Sequence, residues 1–162
     1  MDFVVLILTI GIPGSGKTTW VKKFCKRFPT TYVVSTDDIR KEITGVEECI
    51  DPSQNTMIHD EAKKRVKKII DDRKNIFSKD GTWPVIIVDS TNVELKEWID
   101  YKKLGASVML AKLFDIKPEE AIKRNQNRDR KVPTDIIQMK YDLFLNNQKY
   151  IPKIFNMIIN FL

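Results

Sequence analysis

The segment from Phe3 to Ile10 is a nearly continuous apolar run rich in Val and Ile, closed by Gly11. Such a run, without polar alternation, reads as a parallel strand buried on both faces. Thr18 to Phe28 places Trp20, Val21, Phe24 and Phe28 at helical spacing, and Pro29 stops the helix this predicts. Thr31 to Ser35 predicts a second short strand, and Asp38 to Ile43 a short helical turn ended by Gly45. The longest helical pattern covers 51–79, with Asp51 or Ser53 as cap and Pro52 near the first turn. Its stripe is Met57, Ile58, Ala62, Val66, Ile69, Ile70, Ile76 and Phe77; Lys63, Lys64, Lys67 and Lys68 fill much of the other face, whose usual meaning is solvent.

Asp80-Gly81 reads as a turn, Val85 to Asp89 as a third strand, Val93 to Leu104 as a helix and Ser107 to Phe114 as a fourth strand. Pro118 opens a helix with Glu119 and Glu120 in its first turn, where acids suit the helix dipole. Pro133 and Thr134 open another, running to about Asn146. The apolar tail from Ile151 to Leu162 suits either a helix or an edge strand, and is a candidate oligomer contact. Strands alternating with helices predict a three-layer α/β fold, a mostly parallel sheet of four or five strands with helices on both faces. The expectation is one domain over 1–162, with a lid near 117–132.

Composition narrows the setting. A chain of 162 residues buries enough surface to fold without disulfides, and Cys25 and Cys49 allow one pair at most. The expected compartment is reducing and cytoplasmic, the host cytoplasm for a viral protein. Asp2 precedes the first apolar run, which ends in a Gly-rich loop, unlike a secretory leader; no apolar stretch is long enough to span a bilayer. The net charge of +6, from 28 Lys and Arg against 22 Asp and Glu, is either a simple basic bias or the mark of a phosphate-rich partner such as nucleic acid.

The chemistry starts at Gly11-Ile12-Pro13-Gly14-Ser15-Gly16-Lys17-Thr18, a full match to G-x-x-x-x-G-K-[ST] between a predicted strand and helix. Glycines let backbone N–H groups turn around phosphate oxygens, and the helix N-terminus adds its positive end. Lys17 is expected at the β and γ phosphates of ATP and Thr18 on Mg²⁺. Asp37, Asp38 and Asp89 follow predicted strands, and in open α/β sheets the ligand lies beyond those ends. Asp89 suits a metal role, Asp37 that of the base accepting the incoming hydroxyl's proton. Asp38 suits capping the next short helix. Arg40, three residues after Asp37, either contacts an acceptor phosphate from the same cleft or lies on the surface. Lys123, Arg124, Arg128, Arg130 and Lys131 form a basic segment; Arg124 and Arg128, four apart, share a helix face. It is either a lid closing over ATP or a solvated basic face.

These motifs together resemble the P-loop polynucleotide 5′-kinase family. The resemblance runs from about Phe3 to about Leu145. It rests on Leu8 to Trp20 around the loop, Asp37-Asp38-Ile39-Arg40, Ser90-Thr91-Asn92, Lys123-Arg124-Asn125 with Arg128, and Val132-Pro133. It implies transfer of the γ phosphate of ATP to the 5′-hydroxyl of DNA or RNA, with Mg²⁺. It implies that Asp37, Lys17 and Arg128 are catalytic. Gly11, Pro13, Gly14, Ser15, Gly16, Lys17, Thr18, Thr19, Arg124 and Arg128 hold the nucleotide, and Thr18 and Asp89 the metal. Arg40 holds the acceptor's 3′ phosphate and Thr91 helps place the acceptor; Asn92 and Asp38 join them as acceptor-site candidates.

The sequence also departs from the family pattern. The family's best known member, a phage end-healing enzyme, has Ser-Asp ahead of the Thr-Asn pair, whereas this chain has Asp89-Ser90. The lid is one residue shorter before Val132-Pro133, so Arg130 or Lys131 stands in for its last basic residue. Residues 42–58 match poorly and are expected to wall the acceptor site. With no phosphatase domain following, 5′ phosphorylation without 3′-phosphate removal is expected. The competing readings are a small-metabolite kinase and a non-catalytic ATP-binding module. His59 has no Cys or His cluster in sequence, so a metal role is not assigned to it. Cys25 and Trp98 read as packing; Trp83 reads as packing, with base stacking as its alternative.

Overall fold

The first apolar run becomes β1 (Val5–Ile10), the centre of a five-stranded sheet. In this computed structural model the described residues are 3–46, 53–73, 83–128 and 130–160. The other strands are β2 (Tyr32–Ser35), β3 (Val85–Asp89), β4 (Val108–Leu113) and β5 (Met157–Ile158). Their order is β2-β3-β1-β4-β5, and every pairing is parallel. The three-layer fold expected from the alternation is the fold observed.

Alternate residues of β1 serve opposite layers. Val4, Leu6, Leu8 and Ile10 join a core with α3 (Gln54–Arg73), α4 (Leu95–Lys102) and α6 (Thr134–Asn147). Ile7 instead meets Trp20, Val21 and Phe24 of α1 (Lys17–Arg27) on the other face. Thr9, fully buried, has its hydroxyl 3.1 Å from the Val88 carbonyl and 3.0 Å from that of Ser90. A polar side chain is thereby satisfied where β1 meets β3.

Three local expectations need correction, and one open alternative is answered. The short second helix, α2 (Thr36–Thr44), starts before Asp38, because Ser35 is its cap: Ser35 Oγ accepts from the Asp38 N–H at 3.2 Å. Asp37 and Asp38 therefore sit in the first turn, where negative charge suits the dipole. Phe28 lies just past α1, 39% exposed, and Met57 on α3 is 46% exposed; neither belongs to its helix's buried stripe. The tail answers both alternatives, forming α7 (Ile151–Ile154) and then edge strand β5. Asp51, Pro52, Ile76, Phe77, the Asp80-Gly81 turn and Cys49 lie outside the described residues.

α5 (Pro118–Gln126) follows β4 and, with Ile12 and Ile137, buries Ala121 in a third small core. This core ties the loop after β1 to the expected lid. Trp83 packs its ring 4.8 Å from that of Phe3, and Trp98 is fully buried, so both act in packing. No helix among the described residues is long and apolar enough to cross a membrane.

Candidate active site

The strand ends of a parallel sheet lie on one edge, and pairing fixes which residues meet there. Ser35 of β2 is the register partner of Asp89 of β3, so Asp37 and Asp89 both lie at the edge where Gly11 leaves β1. The Gly11 N–H donates to the Thr91 carbonyl at 3.0 Å, joining the loop to the turn after β3.

The loop's glycines are required by space and by backbone shape. A Cβ on Gly11 would lie 2.8 Å from Phe114 and from Ser15 Oγ. Gly14, at φ +84°, would bring a Cβ 2.8 Å from the Ala121 carbonyl oxygen of α5. Gly16, at φ +97°, is the residue before α1, and Arg124 lies above it. Lys17 Nζ donates to the carbonyls of Gly11 (2.9 Å) and Ile12 (2.8 Å) and lies 3.4 Å from Ser15 Oγ. Burial lowers the Lys17 pKa to about 8; Asp89 pulls it up, Arg128 pushes it down and Asp37 pulls it up.

Thr18 donates its hydroxyl to the Asp89 carboxylate. Burial raises the Asp89 pKa, against that hydrogen bond and the Lys17 charge. A hydroxyl and a carboxylate side by side are the hard oxygen donors Mg²⁺ takes, so these residues fit the ion. Among the described residues no cluster of three His, Cys, Asp or Glu suits a metal held by protein alone.

Arg40 is buried, 6% exposed, and is not the surface arginine of the alternative reading. Its Nη1 donates to Asp37 Oδ1 at 2.8 Å and its Nη2 to Asn55 Oδ1 of α3 at 3.2 Å. Arg130 reaches the same Asp37 oxygen from the lid at 2.6 Å. Burial alone would raise the Asp37 pKa. The hydrogen bond and charge of Arg130, then the charge and hydrogen bond of Arg40, outweigh it and hold the carboxyl below its usual value.

The lid departs from the helix expected. α5 ends at Gln126, so Arg128 lies beyond it and does not share a helix face with Arg124, although both line the cleft. The loop past α5 is closed by one side chain. Asn125 Nδ2 donates to the Val132 carbonyl at 2.8 Å, and the Val132 N–H returns a bond to Asn125 Oδ1 at 3.0 Å. Arg124 also pairs with Glu120.

Two acceptor-site expectations fail. Asn92 is fully buried; its Nδ2 donates to the Thr9 carbonyl at 2.8 Å, and its backbone takes φ +45°. Its side chain shapes the turn after β3 and does not face the cleft, while Ser90 and Thr91 do. Asp38 is exposed and outside the cleft lining, because the α2 turn carries it away from Asp37.

The cleft holds about 1210 Å³ and extends past Arg40 between α3, α4 and α6. Asn55, His59 and Lys63, one helical turn apart on α3, line this extension. Lys63, expected to face solvent, pairs with Asp60 at 2.9 Å and Asp100 at 3.4 Å. His59 Nδ1 lies 2.9 Å from Glu97 Oε1. The residue-by-residue reading missed Asn55 and His59. The signal was the i, i+4 polar row 55-59-63, one residue off the buried row Ile58, Ala62, Val66 and Ile70.

Solved structures share this fold. A chain of the Pnkp1/Rnl/Hen1 RNA repair complex matches with a TM-score of 0.74 at 22% identity, over 92% of this chain and 46% of that one. A second structure of the Pnkp1/Rnl/Hen1 complex matches with a TM-score of 0.61 at 25% identity, over 82% and 42%. This chain thus spans less than half the length of those chains. Shikimate kinase from Acinetobacter baumannii in complex with shikimate matches with a TM-score of 0.58 at 15% identity, over 99% and 86%. The fold is that of P-loop kinases such as shikimate kinase, and the model of the AAA domain family matches residues 6–147, so the chain belongs to the AAA domain family.

Proposed function

We propose that this chain is an ATP-dependent polynucleotide kinase that phosphorylates 5′-hydroxyl ends of DNA or RNA. One observation carries the reading: Asp37 and buried Arg40 are paired in the cleft that also holds Lys17, Thr18 and Asp89. A nucleotide-binding module has no use for a carboxylate beside the γ phosphate with an arginine fork behind it. The RNA repair complexes among the structural neighbours favour nucleic acid as acceptor.

The residues divide the work by position. The loop from Gly11 to Thr18 holds the donor phosphates through backbone N–H groups, and Lys17 and Arg128 meet the charge of the migrating group. Thr18 and Asp89 would hold Mg²⁺, which would supply positive charge to the donor phosphates. Arg40 and Thr91 orient the acceptor. The 5′ oxygen bonds to the γ phosphorus as the bond from phosphorus to the ADP oxygen breaks, and the hydroxyl proton passes to Asp37.

The test offers labelled ATP with 5′-hydroxyl DNA, 5′-hydroxyl RNA, nucleoside 3′-monophosphates, nucleosides and a panel of small alcohol metabolites. The expected result is transfer to the 5′-hydroxyl ends and the 3′-monophosphates, with nucleosides poor acceptors. Arg40→Ala is expected to narrow the kcat/KM ratio between 3′-monophosphate and nucleoside. An unchanged ratio would remove Arg40 from the acceptor site. Transfer to a metabolite alone would replace this reading with a small-molecule kinase.

A further inference from the structure

Asp37 is held from two sides that belong to different parts of the chain. Arg40 comes from its own helix, three residues on. Arg130 comes from the lid loop, and its side chain is 20% exposed at the contact. Both guanidinium groups take the same oxygen, Oδ1. The loop that carries Arg130 is closed on α5 by the two Asn125–Val132 hydrogen bonds. α5 in turn rests on the donor loop, where Ala121 packs with Ile12 and approaches Gly14. A chain of contacts therefore runs from the donor loop through Ala121, Asn125 and Arg130 to Asp37.

We propose that Arg130 is a positioning residue for phosphoryl transfer: it pins Asp37 Oδ1 from the lid, presents Oδ2 to the acceptor hydroxyl, and ties the seating of the lid to the readiness of the base. The inference rests on the kinase reading and adds a residue to it. A carboxylate free to rotate offers either oxygen in many orientations, whereas one pinned at Oδ1 offers Oδ2 in one. Arg40 alone cannot do this, because it also engages Asn55 and is the residue assigned to the acceptor phosphate. When Arg40 turns to that phosphate, Arg130 keeps the carboxylate in place.

The pinning has a cost in basicity. The charged groups around Asp37 are Arg40 and Asp38 on α2, Arg130 on the lid loop, Lys17 at the start of α1 and Asp89 at the end of β3. Arg130 heads those that lower its pKa. A depressed pKa keeps Asp37 ionised down to acid pH, so removing Arg130 moves the loss of the base to higher pH.

The experiment compares wild type with Arg130→Ala, Arg130→Gln and Arg130→Lys in the full chain. The Asp37 carboxyl is titrated by carbon-13 NMR without any acceptor, and kcat is then measured against pH with saturating ATP. Arg130→Ala and Arg130→Gln are expected to raise the Asp37 midpoint and to move the acidic limb of kcat with it. The pH-independent kcat is expected to fall roughly tenfold or more through lost orientation, with the KM for ATP changing less. Arg130→Lys, which keeps the charge and loses the planar fork, is expected to restore the midpoint more than the rate. An Asp37 midpoint that does not move in Arg130→Ala or Arg130→Gln overturns the proposal. So does an unmoved acidic limb with a raised KM for ATP, which would make Arg130 a clamp on the donor. A wild type that rejects 5′-hydroxyl ends would sink the polynucleotide reading, while the carboxyl titration, together with the rate profile on whichever acceptor works, would still decide the role of Arg130.

Discussion

On the proposed donor side of the cleft, the backbone cradle comes from one short stretch, Gly11 to Thr18, between a buried strand and a helix. On the acceptor side they come from α2, α3, α4, α6 and the lid loop, far apart in sequence. The first side is a backbone device, set by left-handed glycines and by a buried lysine bonded to two loop carbonyls. The second is assembled from charge pairs: Asp37 with Arg40 and Arg130, Lys63 with Asp60 and Asp100, Lys140 with Glu94. A backbone device is rigid and tolerates little change. Part-exposed charge pairs such as Lys140 with Glu94 are individually weak and can exchange partners when a phosphate enters.

The sharpest way to break this comparison is Lys17→Ala. It removes a charge that no other residue of the donor stretch replaces. Loss of one electrostatic contact to the transition state costs about 10²–10³-fold, and here the loss is expected at that upper end or beyond. Phosphoryl transfer is the measurement, with thermal unfolding as the control for fold. Near-normal turnover in a well-folded variant would end the donor-site assignment. Asp37→Asn comes next, lowering kcat roughly 10²-fold or more while ATP affinity, measured by calorimetry, stays nearly intact. Equal losses in kcat and ATP binding would mean that the two sides of the cleft are not separable in the way described.

How much of each side was legible follows from the same difference. The donor loop was readable because the physics that needs glycine and lysine there acts over eight consecutive residues. Register made Asp37 and Asp89 readable as neighbours, since parallel strands end on one edge. The family resemblance promoted Arg40, whose neighbours in sequence left it open between cleft and surface. Arg130 was visible as one of five basic residues and, with Lys131, as a stand-in for the lid's last one; its contact with Asp37 was not, because that partner lies 93 positions away. Asn92 misled for a different reason: the family motif carried it into the acceptor site, whereas its amide donates to the carbonyls of Thr9 and Val88 at the strand ends. Lys63 looked solvated because the helix it sits on was legible and the α4 acid opposite was not.

Gly14→Ala probes where the two sides touch. The new methyl would meet the Ala121 backbone oxygen at 2.8 Å, and φ +84° disfavours any side chain. The strain is expected to cost about 1–3 kcal/mol. At roughly 2–4 °C per kcal/mol for a domain of this size, the melting midpoint falls by several degrees. Because α5 must shift to relieve the contact, the KM for ATP is expected to rise as well. A variant with the melting midpoint and KM of wild type would show that the lid helix does not rest on the loop.

The smallest effect is expected at Lys63, and it tests whether the acceptor side extends along α3. Lys63 lines the cleft one turn beyond His59, and it also lines a second, shallower groove with Lys64, Lys67 and Lys68. A strand leaving the acceptor site along α3 would place a backbone phosphate near it. Two acids already hold Lys63, so the phosphate must compete with Asp60 and Asp100. Replacing Lys63 with Gln removes the attraction and leaves both carboxylates to repel the strand. The effect on stability is small, since exposed ion pairs are worth about 0–1 kcal/mol. The effect on binding depends on acceptor length. For a nucleoside 3′-monophosphate, KM is expected to stay as in wild type, because that acceptor ends at Arg40. For a single-stranded oligonucleotide, KM is expected to rise, and the slope of log affinity against log salt to flatten by about 0.7, one released counterion. Fluorescence anisotropy across a salt series measures that slope. Identical slopes for wild type and Lys63→Gln would confine the acceptor side to the terminal nucleotide and make the α3 lysines a solvated face after all.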